Sequence, residues 1–181
     1  MIATTPPTGV RFLADRYKDI IILPYADVCA IFAYFLLSCR SLSEFVRGNA
    51  WVRSVSTLSR AVKKFPVNRF MRRMRASILN KYDGQINSDN FIWAIDDTAN
   101  PKYSQKMFRT GHWYGSSGPW FGQKIVVLSL VDITRGIAIP VAYMIAPKKN
   151  DEAYLKGHDI AIDLLKNAIN EGFPCLPVVV D

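Results

Sequence analysis

The sequence predicts an α+β chain: an all-helical, basic first half followed by a mixed β-sheet built as strand, hairpin, helix, strand. Three observations carry this. Charge is split unevenly, with 14 Lys/Arg against 6 Asp/Glu in residues 1–90 and 9 against 9 in residues 91–181. Apolar residues recur at helical spacing before residue 82. After residue 91 they form short unbroken runs rich in β-branched and aromatic side chains, the mark of strands. The division expected is a helical region at 1–82, a polar linker over Tyr82–Asn90, and a sheet region at 91–181.

Residues 1–19 read as a loose leader with mixed charges and the pair Pro6-Pro7. Met1–Val10 has no basic segment followed by an apolar core, so no signal peptide is expected. Ile20–Cys39 is long and apolar enough to raise a membrane span. Pro24 and Asp27 interrupt it and no second span follows, which favours a buried helix over Tyr25–Ser38 with Pro24 at its start.

Arg40–Gly48 is expected as a short helix capped by Ser41 or Ser43. Ser54–Lys64 follows, capped by Ser54 or Ser56, with Val55, Leu58, Ala61 and Val62 inward and Ser59, Arg60, Lys63 and Lys64 outward. A short helix, a turn and a Ser/Thr/Arg-rich helix give the outline of a helix-turn-helix. Pro66 breaks the chain before a longer helix over Val67–Lys81. Its stripe is Phe70, Met71, Met74, Ile78 and Leu79, with Arg69, Arg72, Arg73 and Arg75 mostly off it. Arg40–Lys81 holds 11 basic residues and one acid, Glu44. Charge this local suits a polyanion, and nucleic acid is the expected partner. Arg53, Arg60, Lys63, Lys64, Arg69, Arg72 and Arg73 are the candidate phosphate contacts.

The sheet region opens on Phe91–Thr98, Phe-Ile-Trp-Ala-Ile-Asp-Asp-Thr, read as a buried strand running into two carboxylates. Ala99–Phe121 is expected as a long functional loop. Its Lys102, Lys106, Arg109 and His112, interleaved with Trp113, Tyr114 and Trp120, suit contact with bases and phosphates. Gln123–Asp132 and Gly136–Ala146 form an antiparallel hairpin, and Pro140 consigns the second strand to an edge. A helix is expected over Glu152–Glu171, capped by Asn150 or Asp151 and stopped by Gly172. Cys175–Asp181 is expected as a buried strand parallel to the first. Neighbouring strands lie about 5 Å apart, so Asp97 (or Asp96) and Asp181 would share one sheet edge. Carboxylates so placed suit a hard divalent ion, Mg²⁺ or Mn²⁺. The scattered Cys29, Cys39 and Cys175, with two histidines, give little support for zinc and fit a reducing compartment.

Ala-Ile-Asp-Asp-Thr at 94–98, the Gly-rich aromatic segment, Ile139-Pro140-Val141 and Val-Val-Val-Asp at 178–181 resemble the DDE transposases of bacterial insertion sequences. The likeness covers residues 91–181 well and the basic helices loosely. It implies a partial RNase H-like mixed sheet. It also implies catalytic roles for Asp97 and Asp181, metal ligation by Asp97, Asp181 and Asp96, and two Mg²⁺ or Mn²⁺ ions in the complete enzyme. Further implications are double-stranded DNA with terminal repeats as substrate, a homodimer on that DNA, and a bacterial cytoplasmic location with no membrane. The family's third acid, a Glu on a later helix, has no counterpart here; Glu152 and Glu171 flank the wrong helix. The chain is therefore expected to be the first part of a longer transposase, binding DNA but cleaving it poorly. Rival expectations are a non-catalytic DNA-binding regulator, another RNase H-like nuclease such as a junction resolvase, and a membrane-anchored protein.

Overall fold

The structure, a computed structural model, describes residues 4–36, 41–101, 108–115, 118–148 and 155–180. The chain is α+β, with six helices and a mixed five-stranded sheet among the described residues. It divides into two compact units, residues 1–73 and 74–181.

The first unit is helical. Helix α1 covers Thr8–Tyr17, where the sequence suggested a loose leader. Val10, Ala14 and Tyr17 fall at i, i+4 and i+7, and all three are buried. Helix α2 covers Tyr25–Leu36, and the Pro24 carbonyl accepts from the N–H groups of Asp27 and Val28. Val28–Ala33 are buried without a break, as suits a helix that is apolar all round. Among the described residues no helix is long and apolar enough to cross a membrane. Helix α3 covers Leu42–Gly48 and α4 Val55–Lys64. Each starts on a serine: Ser41 Oγ accepts from the Glu44 N–H and Ser54 Oγ from the Thr57 N–H, both at 3.1 Å. Such a cap contributes about 1 kcal/mol. The connection between the two helices runs over Asn49–Ser54, longer than the turn of three to four residues of a helix-turn-helix. Val55, expected on the apolar face of α4, is exposed because the buried positions are Leu58 and Ala61.

Helix α5 covers Val67–Lys81, as expected, and contributes to both units. Phe70 stacks near Tyr17, Phe32 and Phe65 in the first core. Met74, Ile78 and Leu79 belong to the second. Arg75, one of the arginines read as off the apolar stripe, is spent inside the second unit. It forms a two-pronged ion pair with Glu171, with Nη2 2.7 Å from Oε1, and donates to the Val141 carbonyl at 3.3 Å.

The second unit is one sheet with helical cover. Strand β1 covers Phe91–Pro101, β2 Gly111–Gly115, β3 Gly118–Asp132, β4 Ile137–Ile145 and β5 Val178–Val180. The strand order is β2-β3-β1-β5, and β4 also pairs with β3. The 15-residue β3 is the centre: β1 lies antiparallel along one side, while β2 and β4 share the other. Phe91, Trp93, Ile95, Val126, Leu128 and Leu130 form the buried face with Ile160, Ala161, Leu164 and Ala168 of helix α6 (Gly157–Asn170). Phe173, after the helix, meets Trp93 edge-on at 5.6 Å.

Several expectations change here. The first strand does not stop at the acids but runs on to Pro101, because β3 supplies partners as far as Gly122. The segment read as a long loop over Ala99–Phe121 is largely sheet: the end of β1, all of β2 and the start of β3 make an antiparallel arm. Glycines at 111, 115, 118 and 122 disguise it, although Trp113 and Trp120 sit directly opposite each other. Helix α6 begins at Gly157, not near 152, and the Lys156 N–H is bound by the Asp159 carboxylate at 3.2 Å. The expected caps Asn150 and Asp151 lie outside the described residues. Strand β5 is not buried: Val178, Val179 and Val180 are 44%, 53% and 65% exposed. A parallel strand is buried only when covered on both faces, and β5 is a three-residue edge strand paired with β1. Pro140 does lie on the edge strand β4, at a register shift where Ser129 faces Pro140 and Leu128 faces Ala142. The bulge tolerates the missing N–H.

Candidate metal and nucleic-acid site

Strands β1 and β5 are parallel neighbours, with Trp93 opposite Val178, Ala94 opposite Val179 and Ile95 opposite Val180. The pair Asp96-Asp97 directly follows Ile95. Side chains alternate along a strand, so the two acids take opposite faces. Asp97 continues the Phe91–Trp93–Ile95 face, and Asp96 continues the Ile92–Ala94 face. Both lie beyond the buried stretch of β1 and are exposed. Asp181, the second expected catalytic acid, lies outside the described residues.

Asp97 has a partner that inspection of the sequence missed. Lys124 Nζ lies 2.5 Å from Asp97 Oδ2. In the register Asp97 faces Val126 and Ala99 faces Lys124, so the lysine reaches its acid diagonally, two residues along the same face. The Lys124 side chain is 28% exposed and that of Asp97 52%. Only the β1–β3 register reveals this pair, and sequence spacing does not supply that register. The chemistry of the donors suits a hard cation: carboxylate oxygens, with an ammonium already drawn to them. Among the described residues no three His, Cys, Asp or Glu side chains cluster as a metal site would require.

The arm beyond the acids is firmly based. Gln123 is buried, donates from Nε2 to the Phe108 carbonyl at 2.7 Å, and accepts from Asn100 Nδ2 at 3.0 Å. The Trp113 indole N–H donates to the Gly122 carbonyl at 2.9 Å. Arg109, in a left-handed conformation with φ 51°, donates to the Ile145 carbonyl at 2.8 Å, and its guanidinium stacks 4.9 Å from the Phe108 ring. His112 is exposed beside Phe121, ring to ring at 5.0 Å. Lys102 and Lys106 lie outside the described residues.

In the helical unit Arg53, Arg60, Lys63, Lys64, Arg69, Arg72 and Arg73 are all exposed. At 100° per residue, Arg60, Lys63 and Lys64 share the side of α4 away from Leu58 and Ala61. Arg69, Arg72 and Arg73 share the side of α5 away from its apolar stripe. Arg73 also lies 3.7 Å from Asp19, an exposed pair of little energetic weight.

Set against known proteins, the chain matches no family model, no curated protein and no solved structure.

Proposed function

We propose that this chain is the DNA-binding and partial catalytic portion of a DDE-type transposase of a bacterial insertion sequence, with an RNase H-like sheet. The observation that carries the reading is the parallel register of β1 and β5. Ile95 and Val180 are paired; in the sequence Ile95 is followed by Asp96 and Asp97, and Val180 by Asp181. Asp97, or Asp96 on the opposite face as the alternative, would hold Mg²⁺ or Mn²⁺ together with Asp181. Such an ion supplies activation of water or a 3′-hydroxyl and charge neutralisation at a phosphodiester. Lys124 neutralises Asp97 until a cation displaces it and then offers its ammonium to a phosphate. The basic faces of α4 and α5 hold double-stranded DNA through its phosphates, independently of sequence. The active form in this reading is a homodimer on paired element ends in the bacterial cytoplasm. With two of the family's three acids among its 181 residues, the chain binds DNA and a divalent ion but nicks DNA weakly at most.

The test is Mn²⁺ titration followed by electron paramagnetic resonance, with a nicking assay on duplex DNA. A Mn²⁺ site lost in both Asp97→Asn and Asp181→Asn supports the reading. Binding that is indifferent to both variants, or efficient Mg²⁺-dependent cleavage by these 181 residues alone, removes it.

A second reading, a DNA-binding regulator without catalysis, is favoured by the exposed basic faces in the helical unit. It expects duplex affinity that survives Asp97→Ala. Replacing Arg60, Lys63 and Lys64 by Gln should then lower the slope of log affinity against log salt by about 0.9 for each phosphate no longer neutralised. An unchanged slope removes this helix from the DNA interface.

A further inference from the structure

The helices of the second unit pack on one face of its sheet. Phe91, Trp93, Ile95, Val126, Leu128 and Leu130 look into that core with α6 and the second half of α5. Alternation sends the residues between them to the opposite side. There lie Ile92 and Ala94 of β1 and Val127 and Val131 of β3, with Tyr143 of β4 and Val179 of β5 beside them in register. All six are at least partly exposed, Tyr143 at 43% and Val179 at 53%. None of them belongs to either hydrophobic core or packs against one. The row Pro140–Ser129–Ala94–Val179 crosses four strands with one hydroxyl and no charge. A sheet that meets water on one side alternates apolar with polar residues, whereas apolar residues on both sides mark a sheet covered twice.

We infer that this outer face docks a second copy of the chain, sheet against sheet, in a two-fold dimer that needs no DNA. Charge narrows the occupant. The one Lys or Arg in these four strands, Lys124, lies on the core side with Asp97, so a polyanion finds nothing to grip here. Asp96, opposite Val127, is the single acid on this side and stands at the border of the apolar area. A charged protein surface would lose its hydration here without gaining a partner. The fitting cover is another uncharged apolar face. Two sheets of the same twist pack about 10 Å apart at about −30°, and a second copy brings that twist. A two-fold axis then sets the area on itself. Size decides strength. Up to four strands about 4.8 Å apart, over Ile125–Val131 of β3 at about 3.3 Å per residue, make about 440 Å² of flat face per copy. The pair covers about 900 Å², short of the roughly 1,200–2,000 Å² of a stable complex and within the weak class. The dimer therefore has a Kd on the order of 10–100 µM. It is separate from the transposase reading, whose dimer assembles on DNA.

The test is sedimentation equilibrium of the full chain in EDTA without DNA, at concentrations up to about 500 µM, with and without added sulfate. The expected result is a monomer–dimer equilibrium in the micromolar range that sulfate leaves intact or tightens, as it does apolar burial. Val127→Lys and, on another strand, Tyr143→Glu should each weaken the dimer by about tenfold or more, since each sets an unpaired charge in the interface. Both positions are partly open in the monomer, and unchanged melting temperatures at low concentration confirm that the variants fold. Asp96→Asn should tighten the dimer by about two- to fivefold, because pairing brings two carboxylates closer together. A monomer at every concentration leaves the face to a different protein and overturns the inference. A dimer indifferent to both charged variants, dissociation in sulfate, or open-ended aggregates in place of a closed dimer overturns it too. Loss of Mn²⁺ or DNA binding with an intact dimer strikes the transposase reading and leaves this one standing.

Discussion

Lys124 and Asp97 lie on adjacent antiparallel strands, two residues out of direct register, with Nζ 2.5 Å from Oδ2. Asp97, the acid proposed as a metal ligand, thus already carries a cation from its own sheet. An ion entering there must displace an ammonium as well as water.

Removing that competitor should strengthen divalent binding. Lys124→Gln is expected to tighten Mn²⁺ by about two- to fivefold, a modest gain because the pair is half-exposed and screened. Asp97→Asn should abolish the same signal. Weaker Mn²⁺ binding in Lys124→Gln, measured by titration, would show that Lys124 supports the site instead of blocking it.

The arm is fixed to the sheet through a close backbone approach that excludes any side chain. A Cβ on Gly122 would collide with the Asn100 carbonyl oxygen and sit 2.8 Å from Pro101 Cα. Both neighbours are backbone of the paired strand and cannot turn aside. Gly122→Ala should therefore cost more than about 2 kcal/mol, within the usual range for forced overpacking, and lower the melting temperature by several degrees. Gly157→Ala is the control: nothing lies near its Cβ position, at the first residue of α6, so stability should hold or rise slightly. Equal melting of the two variants would contradict the close approach.

Asp132 closes the β3–β4 turn. Its Oδ1 accepts from Thr134 Oγ1 at 2.6 Å and from the N–H groups of Thr134 and Arg135 at 3.0 and 3.1 Å. The Thr134 hydroxyl, followed by those N–H groups and the Arg135 charge, holds the carboxyl below its ordinary value, against the opposing effect of burial. A group whose folded value lies below its unfolded one stabilises fully above the unfolded value, about 4, and ceases to do so as pH falls through the folded value. The melting-temperature gap between wild type and Asp132→Asn should be widest near neutrality and should narrow below about pH 4. A gap that stays constant from about pH 7 to about pH 3 would contradict this account.

Much of the fold was legible because each half follows one period. Helix α2 follows from an apolar run after Pro24 and α3 to α5 from apolar spacing and serine caps, of which Ser41 and Ser54 are used in place of the alternatives Ser43 and Ser56; the hairpin and the parallel final strand follow from apolar runs and turn residues. Helix α1 was missed because Pro6-Pro7 and mixed charges masked three buried residues at helical spacing. The arm was missed because its glycines weaken the strand signal, and its strand character comes from pairing with β3. Of the expected site, Asp97 or Asp96 with Asp181, the structure describes only the two acids that follow Ile95. Lys124 was not legible, since a diagonal contact depends on register, and register is set by tertiary pairing. Arg75 illustrates the same limit from the other side: its charge looked like part of a DNA-facing stripe, yet it is committed to Glu171.

The continuity of β3 has a mechanical consequence. The strand that carries Trp120 and Phe121 in the arm also carries Lys124, with no register shift between them. Tyr114 on β2 pairs with Pro119 of that strand, so its position is set by the same hydrogen-bonded ribbon that sets Lys124. The arm and the Lys124–Asp97 contact therefore share one strand, and a change of register in β3 would move both together.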